Sequence, residues 1–372
     1  MNIYVMDPQT LDRLAIINDY SARDWNTVWG ESGSFRIWAP ITAENEEFLV
    51  KENLLWPDDQ AFVGVIEHIH KYTEEQSGLP LFEVSGRFIA ESYLSRRIIW
   101  GNSLLTDTPA NIIHRLVKGN AIACADTSRR FGPSVWGSMT LSSSIPEQSN
   151  ITYCNSYGNL WDEVKGLNLK YGLNTEFRYY NNGTIITLFG VISAGYDRSL
   201  SVNLSTDLGF LTESDYLWDS TDYCNTALIA GEGDGADRKT AAIIPVSAVQ
   251  RKRRELYVDA RDIQKTSAST EDPMSDADYN AALIQRGNKK LLDHSLYESY
   301  ECALQITGEE GYVFGKDYNL GDIVTLTDTV LKVKVQARVK EHTVAEDKDG
   351  RIDTLVFGLS VPTITSLVKR RD

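Results

Sequence analysis

The chain has 372 residues and a mass of 41.7 kDa, with 37 Lys and Arg against 52 Asp and Glu and a net charge of −15. Its 42% hydrophobic and 24% charged residues, with only 26 Gly and 10 Pro, exclude a disordered chain and a collagen-like fibre. The acidity speaks against a protein whose main task is gripping nucleic acid phosphates, because that affinity comes from Lys and Arg displacing counterions.

At roughly 100–200 residues per domain, two to four domains are expected. No stretch approaches the roughly 20 apolar residues of a spanning helix, so no membrane anchor is expected. The opening Met1-Asn2-Ile3-Tyr4-Val5-Met6-Asp7 has no basic region and meets a charge at once. No secretory signal is therefore expected, and synthesis in a cytosol is. Cys124, Cys154, Cys224 and Cys302 lie far apart with no CxxC pair. That is the pattern of buried free thiols rather than of a disulfide framework or zinc site.

The first hundred residues are β-rich. Asn2–Met6 alternates, Asp7-Pro8-Gln9-Thr10 turns, and Leu11–Ile17 returns as an extended run, which together give a hairpin. Ser34–Ala39 puts Phe35, Ile37 and Ala39 on one face. Ala61–Tyr72 is expected as one long strand, pairing with Leu81–Ser85 across Gln76-Ser77-Gly78. Thr42–Val50, rich in Ala and Glu, is the only helix expected here.

From about residue 104 the pattern is α+β. Thr108 and Pro109 open a helix whose apolar stripe is Ile112, Ile113, Leu116 and Val117. A second helix runs from about Asn159, with Leu160, Trp161, Val164 and Leu167–Leu169 buried. Asn181-Asn182-Gly183 then turns between strands at Thr175–Tyr180 and Thr184–Phe189. Strands are expected at Ala227–Ala230 and Thr240–Val246. A helix opened by Ser275-Asp276-Ala277-Asp278 is expected to carry Leu283, Leu291, Leu292, Leu296 and Tyr300. Ile323–Leu326, Val330–Val339 and Thr354–Leu359 close the chain as strands, the last reached through Asp347-Lys348-Asp349-Gly350.

None of the constellations tested for chemistry is complete. Gly231-Glu232-Gly233-Asp234-Gly235-Ala236-Asp237-Arg238-Lys239 is glycine-rich, but Glu232, Asp234 and Asp237 repel phosphate and a strand follows. A flexible loop between two strands is the expectation. His68 and His70 share a strand face without a carboxylate partner at ligand spacing, and a solvated face is expected. Asp347-x-Asp349-Gly350 lacks the later bidentate Glu of a calcium loop and fits a hairpin. There is no HExxH or GxSxG, and 52 acids single out no glycosidase pair. The 18 Tyr and 8 Trp are expected mainly in cores and interfaces. Arg251-Lys252-Arg253-Arg254 and Lys369-Arg370-Arg371 are short basic strips facing solvent or a partner.

Several stretches together resemble one family. They are the N-terminal hairpin leading to Arg23-Asp24-Trp25-Asn26 and Gly33-Ser34-Phe35-Arg36-Ile37, then Phe82-Glu83-Val84-Ser85-Gly86-Arg87-Phe88 running into Leu94-Ser95-Arg96-Arg97. Further on come Tyr279–Gly287, Tyr312–Asp322 with its Leu320-Gly321-Asp322, and Asp349-Gly350 followed by Phe357-Gly358. In order and spacing these resemble the tail-associated and baseplate hub proteins of long-tailed phages, prophages and phage-like injection particles.

The resemblance implies a mainly β chain with α+β insertions, in which two tube-type β-barrel domains, an outer α/β domain and a largely helical insertion assemble as a ring. Projected onto this sequence, the first barrel is expected at 1–103, the outer domain at 104–206, the second, discontinuous barrel at 207–245 and 302–368, and the insertion at 246–301. Gly321 is expected where a side chain does not fit. The resemblance further implies a homotrimer at the virion tail tip, with a distal tail or tail tube protein above and spike, fibre or receptor-binding proteins below. The tape-measure C-terminus is a further partner it suggests, and DNA passes an acidic or neutral lumen without specific binding. It implies no catalytic, cofactor-binding or metal-ligating residue and no cofactor. Larger relatives append peptidase, glycosidase or receptor-binding parts; with the chain ending at Asp372, these are expected on separate proteins. A receptor- or carbohydrate-binding tail component and, after it, a cell-wall hydrolase are the other function classes.

Overall fold

The computed structural model describes residues 2–73, 78–131, 136–181, 186–207, 211–265, 274–304 and 312–360. The chain is mainly β and is organised around a ten-stranded sheet. Eight of its strands follow one path: β15 (Leu211–Asp219), β19 (Tyr297–Leu304), β22 (Gly350–Ser360), β21 (Val333–Asp347), β3 (Ala22–Val28), β4 (Ser32–Pro40), β8 (Pro80–Arg87) and β7 (His68–Thr73). Every neighbouring pair on that path is antiparallel. β20 (Ile323–Asp328) and, parallel to it, β14 (Asn203–Ser205) branch off β21.

The length of β21, 15 residues, permits the branch. Val333–Arg338 pairs with β20, while Glu341–Asp347 pairs with β3. Between them the register against β22 slips at Lys340. One extra residue bends a strand and locally breaks its ladder, and here it lets β21 exchange one neighbour for another.

Alternation decides which sheet face is covered. Trp25, Phe35, Ile37, Phe82 and Val84 face inward, and the rings of Trp25 lie 5.1 and 5.2 Å from those of Phe35 and Phe88. A four-stranded sheet, β2 (Arg13–Ile17), β1 (Ile3–Met6), β5 (Leu54–Pro57) and β6 (Gly64–Val65), closes over them with Ile3, Val5, Ala15, Ile17 and Leu55. A short helix, α1 (Ala43–Phe48), starts where Thr42 Oγ1 accepts the Asn45 N–H at 3.1 Å. The β20–β21–β22 end has its own core of Leu204, Tyr318, Val324, Leu326, Val339 and Phe357.

The third region combines a pair, β9 (Asn102–Asp107) and β11 (Ile151–Ser156), with a sheet ordered β10 (Trp136–Leu141), β13 (Ile186–Ala194), β12 (Leu173–Asn181). α3 (Pro109–Val117) packs on it through the expected stripe, and α4 (Leu160–Tyr171) through Leu160, Trp161, Val164 and Leu167, with Leu169 half-buried rather than in the core. Asn159 Oδ1 caps α4 by accepting the N–H groups of Trp161 and Asp162 at 3.0 and 3.3 Å. The turn between β3 and β4 plugs into this region: Gly30 N–H donates to buried Asn174 Oδ1 at 3.0 Å. The fourth region is a sheet of β17 (Thr240–Ile243), β16 (Thr226–Ala230) and β18 (Glu255–Asp259), covered on one face by α5 (Asp276–Leu292). Ser275 Oγ accepts the Asp278 N–H at 3.1 Å and its hydroxyl donates to the Asp278 carboxylate at 2.6 Å, capping the start of α5.

Several local expectations change. Ala61–Tyr72 is not one strand but β6 and β7, because Ile66 turns inward to the core while β7 leaves to pair with β8. A second early helix, α2 (Ile89–Leu94), has no side-chain cap and so left no sequence signal. α5 buries Tyr279, Ala282, Leu283 and Gly287; Leu296 lies beyond its end and Tyr300 sits on β19. β16 and β17 pair with β18 under α5 rather than with the large sheet, so the strands in 226–243 pack with the stretch expected as a helical insertion, and that stretch carries β18 as well as α5. At the other limit β19 enters the large sheet from Tyr297. Residue 103 lies inside β9, and one apolar cluster joins Met6, Leu54 and Ile89 to Ile112, Trp161 and Ile192, so no break in the core falls there. The Asn182-Gly183 turn and the 369–371 strip lie outside the described residues.

Candidate functional site

Two features stand out: a charged seam where the N- and C-terminal strands meet, and the two free ends of the eight-strand path. At the seam β3 pairs with β21, joining residues more than three hundred positions apart, as in Arg23 opposite Glu346. Arg23 lies on the inward face with Trp25 and is completely buried. Its guanidinium holds Asp59 through two bonds of 3.0 and 2.9 Å and Glu346 through one of 2.8 Å. Burial works against the Arg23 charge, but these partners outweigh it and hold its pKa above the usual value.

Arg351 extends the chain of charges. It reaches Asp59 at 2.9 Å and grips Asp353 through bonds of 2.7 and 2.9 Å. His342 Nε2 meets the same carboxylate at 2.8 Å, and Phe314 covers the imidazole with centroids 4.1 Å apart. Burial pushes Asp353 up, yet His342 and Arg351 bring it down to about 2. Tyr20, donating to Glu346 at 3.2 Å, is pushed up to about 12, mainly by burial.

Of these groups Asp59, Phe314, His342, Arg351 and Asp353 line a cleft of about 780 Å³ that also receives Arg178, itself paired with Glu176. Each acid named here is already matched with a cation. An Asp held near 2 is a poor proton donor or acceptor near neutrality. The arrangement therefore acts as an electrostatic staple across the seam.

The ends of the path are of a different kind. β7 is paired on one side only, by β8, and β15 only by β19, among the described residues. His68, Ile69, His70 and Lys71 of β7 are exposed, as are Asp215, Tyr216, Leu217 and Trp218 of β15, with Trp218 at 55%. β15 reads LTESDYLWD, with three acids and no base, and β7 reads HIHKYT, with no acid. Lys71 is drawn to Glu46 at 2.6 Å, and His70 stacks on Tyr72 at 4.9 Å beside Glu83.

The residues singled out by the sequence scatter. The His68 and His70 rings are 6.5 Å apart on the exposed edge, and no His, Cys, Asp and Glu group able to hold a metal occurs among the described residues. The glycine-rich segment is a loop between β16 and β17, held rather than loose. Arg238 donates to the Ala230 and Gly231 carbonyls, and Tyr279 Oη accepts the Glu232 N–H at 2.9 Å. Asp347–Gly350 is the β21–β22 turn. Arg253 pairs with Glu255, and Arg254 reaches Ser220. Cys124 is a buried free thiol, whereas Cys154 and Cys224 are half-buried free thiols. The seam acids escaped sequence reading, although Arg23 two positions before inward-facing Trp25 was a usable sign.

The model of the siphovirus ReqiPepy6 Gp37-like protein family matches residues 2–359. The chain belongs to that family. The fold of this Gp37-like chain is similar to that of the tail protein from Neisseria meningitidis MC58, at 14% identity, TM-score 0.56, and coverage of 96% of this chain and 97% of the other. It is likewise similar to the 43 kDa tail protein of prophage MuSo2 from Shewanella oneidensis, at 13% identity, TM-score 0.56 and coverage of 96% and 98%. The prophage tail protein gp18 from Listeria monocytogenes EGD-e follows at 11% identity, TM-score 0.52 and coverage of 99% and 98%. No curated protein matches the Gp37-like chain in sequence. The expected kinship with phage tail-associated proteins holds along nearly the whole chain.

Proposed function

We propose that the chain is a structural hub of a phage or phage-like tail tip, closing as a homotrimeric ring. The observation that carries this reading is the open eight-strand path with unlike ends. With eight antiparallel strands, the first and last run in opposite directions. In copies related by rotation about an axis along the strands, β7 of one therefore meets β15 of the next antiparallel. Head-to-tail contacts of this kind generate a ring when the rotation closes. Unpaired edges are a liability that proteins cover or use, and the acid-free β7 suits the acidic β15 better than either suits itself.

In this reading the two tube-type barrels are the β3–β4–β8–β7 and β20–β21–β22–β19 ends of the sheet, stapled by the Arg23 seam. The β9–β13 region lies outside the ring, with the α5 region as the insertion. The lumen passes DNA without gripping it, a tail tube or distal tail protein stacks above, and spike, fibre or receptor-binding parts dock below. The function needs no catalytic residue and no cofactor.

Negative-stain images of the purified chain test the reading. Rings with an open centre and threefold averages are expected. Compact particles without a channel, at concentrations where the chain is associated, would contradict it.

A further inference from the structure

We propose that the surface around Trp100, on the β9–β11 side of the molecule, docks an acidic segment with apolar anchors from another protein. Trp100 is 71% exposed, and Ile98 and Tyr157 beside it are 43% and 57% exposed. They are neighbours because the Ile99 N–H donates to the Gly158 carbonyl at 2.8 Å, and because Asn102 pairs with Ser156. Scattered exposed apolar residues are ordinary, whereas a cluster holding an exposed Trp is not.

The charges around it point to the partner. Arg97, Arg129 and Arg130 make no ion pair with a carboxylate among the described residues, in a chain of net charge −15. They are nevertheless held in place by backbone carbonyls. Arg97 donates to the carbonyl of Arg129 at 2.8 Å, Arg129 to that of Ile98 at 2.7 Å, and Arg130 to that of Cys124 at 3.0 Å. Arg129 also lies over the Trp100 ring, 5.0 Å from its centroid. The nearby acid, Asp126, is hydrogen-bonded by Ser128 and feels the Arg129 charge without an ion-pair contact. Burial and the charge of Arg129 both depress Arg97, so an incoming anion relieves a repulsion as well as forming bonds.

Fixed guanidinium groups that lack an anion are preorganised for carboxylates, since their ordering cost is already met. An exposed Trp with an Arg guanidinium over its ring is the composition of an interface hot spot. Ile98 favours a protein over a nucleic acid or a sugar–phosphate polymer, because an aliphatic side chain offers neither a stacking face nor a charge. The surface does not depend on ring closure and is open to test in a monomer or a trimer.

The probe is a fluorescein-labelled peptide carrying Trp and Leu among Asp and Glu, titrated into the full chain by fluorescence anisotropy. Poly-L-glutamate and an oligothymidylate serve as charge-only and nucleic acid comparators. Saturable binding is expected, weakened roughly tenfold by Trp100→Ala or Arg130→Glu, and unchanged by Arg251→Glu, which removes the same charge elsewhere. Trp100→Ala touches an exposed ring, so loss of fold does not mimic the result. The proposal is overturned if the peptide does not bind, if either comparator binds as well, or if Arg251→Glu weakens binding as much as Arg130→Glu.

Discussion

Gly321 lies flat against the indole of Trp29: a Cβ on Gly321 would stand 2.3 Å from Cε3 and Cζ3 of that ring. The same glycine has φ +90°, in the left-handed region that side chains avoid. The contact closes the turn before β20 onto the turn after β3, where Trp29 N–H also donates to the Lys340 carbonyl at 2.8 Å. Gly321→Ala is expected to cost about 2–4 kcal/mol, from strain plus overpacking. Urea melts of the variant against the parent check this; a loss below about 1 kcal/mol would mean the turn relaxes freely.

The Arg23 staple predicts an asymmetric result. Arg23→Ala leaves Asp59 and Glu346 facing each other across a buried seam and should cost about 3–5 kcal/mol. Arg23→Met combined with Asp59→Leu and Glu346→Gln should cost clearly less, because the buried cation and both of its carboxylate partners leave together. Equal losses in the two variants would show that packing, not charge, holds the seam.

Asp353 makes the chain acid-labile in a defined window. Its folded pKa, about 2, lies below the usual 3.8. The stabilisation is therefore complete above about pH 4 and is lost as pH falls toward 2, amounting to about 2 kcal/mol. Asp353→Asn should be less stable at neutrality and should flatten the stability–pH curve in that window. An unchanged acid slope would assign the effect elsewhere.

Lys340 behaves in the opposite sense. Burial, helped by Arg338, brings its pKa down to about 8 against the pull of Glu31 and Glu341. The unfolded chain thus binds a proton that the folded chain resists, and stability should rise as pH climbs from about 8 to above 10. Lys340→Met is expected to stabilise at pH 7 by about 1–3 kcal/mol and to remove that rise. Destabilisation by this change would mean that the Lys340 charge serves the bulge in β21.

Local signals carried much of the fold. The β1–β2 hairpin, the Asn159 and Ser275 caps and the α3 stripe were readable because each depends on residues close in sequence. The tight approach at Gly321, to a Trp29 far away in the chain, was expected only through the family resemblance. Partner choice among strands was not readable. Nothing in the alternation of Thr226–Ala230 says that it pairs with β17 and β18 rather than with the large sheet. The switch of β21 from β20 to β3 turns on one bulge within an unbroken alternating run. The seam was hidden because Arg23 and Asp353 look like surface charges until the strands that bury them are paired. The Trp100 surface was hidden for the converse reason, since sequence alone does not tell an exposed Trp from a core one.

The most direct test of the ring is the mass of the chain in solution, by light scattering across a concentration series, for the parent and for Trp218→Lys on the β15 edge. A parent species of three times 41.7 kDa is expected, with the variant shifted toward monomer and its fold unchanged. A parent that stays monomeric throughout, or a dimer indifferent to the β15 substitution, would contradict the ring.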